Sequence, residues 1–150
     1  MPKFKSGESR NQIALFPPTI DEYISEDHLS RLVLSIVSSL NLKNFTDKFS
    51  GRGQRPYSPA TLISILFYGY SIGIRSSRKL SKACEERLDF MYLTGKLQPS
   101  YKTISEFRRE NLSKVSGLFE EIILIGMKLD IVRIGNLNIA IDGSKVSAYV

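Results

Sequence analysis

The side chains of this sequence best suited to chemistry are cations and hydroxyls. Arg52, Arg55, Arg75, Arg78, Lys79, Lys82, Lys102, Thr103, Ser105, Arg108 and Arg109 all lie between residues 51 and 111. Lysine and arginine neutralise phosphates, while arginine forks and hydroxyls donate hydrogen bonds to base edges, so the set suits a DNA-binding surface. Its densest part is residues 99–111, PSYKTISEFRREN. Pro99 breaks whatever precedes it, and Ser100 and Thr103 compete to cap the helix that follows. Thr103 with Glu106 has the spacing of a capping box, which starts the helix there or one turn earlier. Ile104 and Phe107, three apart, must face inward, which leaves Lys102, Ser105, Arg108 and Arg109 largely toward solvent. A solvated basic face is the plainer alternative.

Charge placement favours the first reading. Residues 51–111 hold eleven Lys and Arg against five Asp and Glu, while residues 1–50 balance at six against six and residues 112–150 at four against four. The whole net charge of +6 therefore sits in one segment, as expected of a nucleic-acid-binding unit. With 42% hydrophobic and 24% charged residues the chain reads as globular. No apolar run approaches the roughly 18 residues of a membrane span, and the start MPKFKSGESRNQ has no apolar core behind its lysines, so it is not a secretory signal. No membrane partner and a cytoplasmic, nucleoid-associated location are expected. The single Cys84 forms no internal disulfide and fits a buried stripe with Leu80. His28, the sole histidine, lacks a Cys or second His to share a metal and reads as a capping or packing residue.

The elements that must position these residues are helical. Residues 1–24 read as an N-terminal arm, with Ile13, Leu15 and Phe16 able to dock. From Ser25, a candidate cap, the rhythm of Leu29, Leu32, Val33, Ile36, Val37 and Leu40 predicts an amphipathic helix. Residues 41–57 read as a loop whose tip, GRGQRP at 51–56, is basic and glycine-rich but lacks the Lys-Ser/Thr of a phosphate-binding loop. Ser58-Pro59 opens a helix apolar almost all round, the expected core helix. Gly73 ends it. Ser76 or Ser77 starts another, with Leu80, Ala83, Cys84 and Leu88 as its buried stripe, and the apolar run continues through Phe90, Met91 and Leu93 to a C-terminal cap at Gly95. With the helix after Pro99, this is the order of a helix-turn-helix unit, although the link is longer than usual. A helix follows over 113–129. Then NLNIAID at 136–142 alternates as a strand, Asp142-Gly143 signals a turn, and a second strand begins at 145–150.

As a set these blocks resemble a known family. GRGQRPYSPATLISILFYGYSIGIRSSRKLSKACEERLDFMYLTG, then TISEFRRE, then NIAIDGSK, resemble in order the N-terminal region of bacterial and archaeal insertion-sequence transposases of the DDE type, the branch with an InsH-like N-terminal domain. The resemblance runs from about Ser25 to the end. It implies a mainly α fold: a helical DNA-binding domain over 25–130 with a helix-turn-helix-like unit, followed over 131–150 by a C-terminal β-hairpin that begins an incomplete RNase H-like fold. Double-stranded DNA, the transposon's terminal inverted repeats, is the implied partner. Asp142, in IDGSK, matches the family's first catalytic carboxylate and Mg2+ ligand, in a chemistry where two ions bracket the scissile phosphate. The second Asp and the Glu would lie beyond Val150, so DNA binding without catalysis is the expectation for these residues alone. Two further readings follow: an inhibitor that occupies the repeats against an intact transposase, and an oligomerisation module pairing with itself or with a full-length transposase.

Overall fold

Ser58 and Pro59 open the helix on which the others pack. The Ser58 side chain accepts the Thr61 N–H at 3.1 Å, and proline loses nothing at the first helical position because its absent N–H would have had no partner there. The computed structural model describes residues 8–15, 17–46 and 55–128. They contain a 3-10 turn, Ile20–Tyr23, and seven helices: α1 Leu29–Ser39, α2 Lys43–Thr46, α3 Pro59–Ser71, α4 Ser77–Glu86, α5 Leu88–Thr94, α6 Tyr101–Glu110 and α7 Leu112–Lys128. No strand occurs among the described residues. The strands expected over 136–150 lie outside them. The chain divides into two units, Met1–Glu110 and Asn111–Val150. In the second, α7 starts close to its expected position.

In the first unit α1 packs on α3 and α5, α3 also meets α5 and α4, and α4 in turn packs on α5 and α6. Leu62, Ile63, Ile65, Leu66 and Tyr68 of α3 are buried with Val33 and Val37 of α1, Leu80 and Cys84 of α4, Phe90 of α5, and Ile104 of α6. The Tyr68 and Phe90 rings meet edge to face, with centroids 5.1 Å apart.

Several local expectations change. His28, not Ser25, caps α1, its Nδ1 accepting the Ser30 N–H at 3.2 Å. The expected loop over 41–57 contains α2, because Phe45 is buried and stacks on Phe107 at 6.0 Å between centroids. The 3-10 turn is clasped rather than loose. Arg31 donates to Asp21 Oδ1 at 2.7 Å, to the Asp21, Ser25 and Ile24 carbonyls at 3.0, 2.9 and 2.8 Å, and to the Tyr92 hydroxyl at 3.1 Å.

The run over 76–94 is two helices. Arg87, extended at φ −109 and ψ 131, ends α4 and precedes α5. Leu88, expected in the buried stripe, is exposed as a result. Gly95 caps α5 in the left-handed region at φ 61, followed by Lys96 at φ 66, where a side chain at Gly95 would be strained.

Gly69 sets how closely α3 approaches α4. A Cβ there would run into Leu80 Cδ2 and lie 3.1 Å from the Ile74 carbonyl oxygen, and Leu80 is fully buried. Gly69→Ala is expected to cost about 1–3 kcal/mol, as overpacking typically does. Urea denaturation checks this, and a loss below about 0.5 kcal/mol, the range of ordinary surface changes, would mean Leu80 moves aside freely.

Candidate nucleic-acid interface

Three ties fix α6 to α4. Ser81 Oγ donates to the Pro99 carbonyl at 2.9 Å, just before α6 begins. The Arg78 guanidinium lies 4.1 Å above the centroid of the Tyr101 ring, which opens α6. Near the other end, Arg108 donates to the Arg75 carbonyl at 2.8 Å and to the Tyr70 hydroxyl at 3.2 Å. Ser100 is the residue that caps α6, accepting the Thr103 N–H at 3.3 Å, so the helix starts at the earlier of its two expected positions. Ile104 and Phe107 face inward as their spacing predicts.

The expected site residues divide by exposure. Arg75, Arg78, Lys79, Lys82, Lys102 and Arg109 are exposed on α4, on α6 and just ahead of α4. Arg55 is exposed ahead of α3, and Tyr57, two positions on, donates to the Gln98 carbonyl at 3.3 Å, bringing that segment beside the link into α6. Arg52 and Asp142 lie outside the described residues. Thr103 is half-buried, its hydroxyl 3.0 Å from Ser100 Oγ in the cap; Ser105 is half-buried as well. Arg108 departs from its expected position. Its guanidinium is drawn in by the Arg75 carbonyl and Tyr70, so it braces α6 against the start of α4 instead of pointing outward.

The charges of α4 run against its dipole. Helices gain a few tenths to about 1 kcal/mol from each acid near the N-terminus and each base near the C-terminus. In α4, Arg78 and Lys79 occupy the first turn and Glu85 and Glu86 the last, with no acid in the first and no base in the last. Each of these placements is unfavourable to the helix itself. The same placement concentrates positive potential, since the unpaired N–H groups at a helix start already attract anions and Arg75, Arg78 and Lys79 surround this one.

Residues 18–110, more than half of the chain, match the family model described as Transposase domain (DUF772). The chain belongs to this family. No curated protein and no solved structure matches it. The transposase domain spans the 3-10 turn and α1 to α6, and its match ends at residue 110, where the first unit of the fold also ends.

Within the transposase domain the sequence reading missed Tyr101, Ser81 and Tyr70 as positioning residues. An aromatic ring at the first position of a capped basic helix was the available signal for Tyr101; the other two act across 18 and 38 residues, beyond any local pattern. Cys84 is fully buried, and burial pushes its thiol up to about 11, a core side chain and not a nucleophile. Among the described residues no group of three or more His, Cys, Asp or Glu could hold a metal ion, and no helix is long and apolar enough to cross a membrane.

Proposed function

We propose that this transposase domain binds double-stranded DNA through α4 and α6 and recognises the terminal inverted repeats of its element. The charge arrangement of α4 carries the reading. Cations that oppose a helix's own dipole cost stability, which is accounted for if they serve an anionic partner. The paired helices then work as a helix-turn-helix-like unit with α5 between them, α6 entering the groove with the start of α4 beside it and the lysines of both helices meeting the backbone. Asp142 is proposed as the first carboxylate of a DDE site in an RNase H-like fold, where a family-type Mg2+ pair would supply Lewis-acid chemistry for strand cleavage and transfer.

A competition experiment tests the reading. The chain is titrated onto a fluorescent duplex carrying the repeats that flank its gene, then challenged with a scrambled duplex of equal composition. Tighter binding to the repeats is expected. Equal affinity would remove end recognition and leave a sequence-indifferent basic domain; no binding to either duplex would remove the DNA reading altogether.

A further inference from the structure

The arginines of the described fold differ in what their forks are used for. Arg31 spends its donors on three carbonyls, Asp21 and Tyr92. Arg87 spends its own on Asp89, and Arg108 on Tyr70 and the Arg75 carbonyl. Arg78 is different. It is exposed and makes no hydrogen bond or ion pair among the described residues, yet it is not loose, because its guanidinium rests over the Tyr101 ring.

A stacking partner holds a guanidinium by its face and leaves the N–H donors at its edge unused. The backbone that carries the Tyr101 ring is itself anchored. Tyr101 follows the Ser100 cap and the buried Pro99, whose carbonyl is held by Ser81, three residues beyond Arg78 on α4. The helix that carries the fork and the ring that supports it are thus locked together. Ordering a long side chain before binding removes part of the entropic cost of using it.

We infer that Arg78 is the base-reading side chain of this surface, that it recognises a guanine, and that Tyr101 is the residue that positions it. Among base edges in the major groove, guanine offers O6 and N7 as a pair of acceptors that a fork meets in bidentate fashion. The lysines around it, Lys79, Lys82 and Lys102, are point charges suited to phosphates, which do not require a fixed plane. The inference rests on the proposal that the α4–α6 surface binds duplex DNA.

The test is a selection by the full chain from a pool of random-sequence duplexes, followed by titration of variants on the best-enriched duplex and on a copy with each guanine in turn replaced by 7-deazaguanine, which lacks N7. The unaltered chain should enrich a motif containing a guanine whose replacement weakens binding. Arg78→Lys, which keeps the charge, should lose about 5- to 150-fold on the selected duplex, become indifferent to that replacement, and keep its affinity for unselected DNA. Tyr101→Ala should lose about 2- to 12-fold, and Tyr101→Phe should restore binding because the ring and not the hydroxyl supports Arg78.

Uniform loss by Arg78→Ala on every duplex, with the salt slope reduced by about 0.9, would make Arg78 a phosphate contact and overturn the inference while leaving DNA binding intact. Enrichment of a motif insensitive to Arg78→Lys would do the same. Retention of no duplex at all would overturn the DNA reading and the inference with it.

Discussion

Raising monovalent salt from about 50 to about 200 mM should weaken duplex binding by about 150-fold. The figure follows from the cations of α4, of α6 and of the turn before α4 that remain for phosphates once Arg78 is given to a base. Arg75, Lys79, Lys102 and Arg109 are exposed and make no ion pair among the described residues. Lys82 lies 3.7 Å from Glu86 one turn on, an exposed pair of little worth that nonetheless places a negative charge beside it. Arg31, Arg87 and Arg108 are occupied inside the fold. Each phosphate neutralised contributes about 0.9 to the slope of log affinity against log salt, so four give about 3.6, and a fourfold rise in salt raised to that power gives the loss. Lys102→Ala should reduce the slope by about 0.9 and leave stability within about 0.5 kcal/mol, as its exposure implies. Anisotropy titrations at four or five salt concentrations measure both. A flat slope would mean that these cations do not meet phosphate.

What the sequence could reveal about this surface depended on the range of the interactions involved. Caps act within four residues, so Ser58, Gly73 and Gly95 could be read directly and the start of α4 narrowed to Ser76 or Ser77, and Ile104 and Phe107 followed from helical spacing. The apolar character of α3 made it the core helix for the same reason, since burial on every side needs no knowledge of its partners. Arg108 could not be read this way. One position from the buried seam, it could turn in or out, and the decision rests with Tyr70, 38 residues away, and with the Arg75 carbonyl just ahead of α4. Phe45 sits in a largely polar stretch without helical spacing, and its burial against Phe107 across 62 positions placed a helix where only a loop was legible. The break at Arg87 was hidden likewise. Helical periodicity runs through it unimpaired, while the side chains that meet at the break, Arg87 and Asp89, form a network that reaches back to Tyr68 of α3.

That network carries the largest stability prediction. Asp89 receives two guanidinium donors from Arg87 and the Tyr68 hydroxyl at 2.7 Å, and its Oδ1 also accepts the Phe90 N–H at 2.9 Å. Its side chain is 12% exposed against 45% for Arg87, so the carboxylate is the buried member and the arginine keeps water on one side. Asp89→Ala should cost about 3 kcal/mol: it leaves the buried Tyr68 hydroxyl without its acceptor and Arg87 without its counter-charge, softened by the water Arg87 retains. Burial alone would raise the Asp89 carboxyl. The hydrogen bonds from Arg87 and Tyr68, with the charge of Arg87 and the Phe90 N–H, outweigh it and hold the group below the usual carboxylate range. A folded-state pKa below the unfolded one stabilises the fold above the unfolded value, about 3.9, and that contribution disappears as pH falls through the folded value. The part of the gap between the unaltered chain and Asp89→Ala that comes from the lowered carboxyl should therefore be full near neutrality and be lost as pH falls below about 3.9 and through the folded value, so the gap narrows in acid. Urea denaturation is the right measurement, since guanidinium chloride would screen the pair. A gap that stays constant down to pH 2 would mean that the ionised Asp89 carboxylate adds nothing to stability, and one that never exceeds about 1 kcal/mol, the size of an ordinary neutral hydrogen bond, that the network contributes no more than a single such bond. Because Asp89 makes no ion pair with Arg75, Lys79, Lys102 or Arg109 among the described residues, the variant should bind DNA normally at temperatures where it remains folded, which separates a folding defect from a recognition defect.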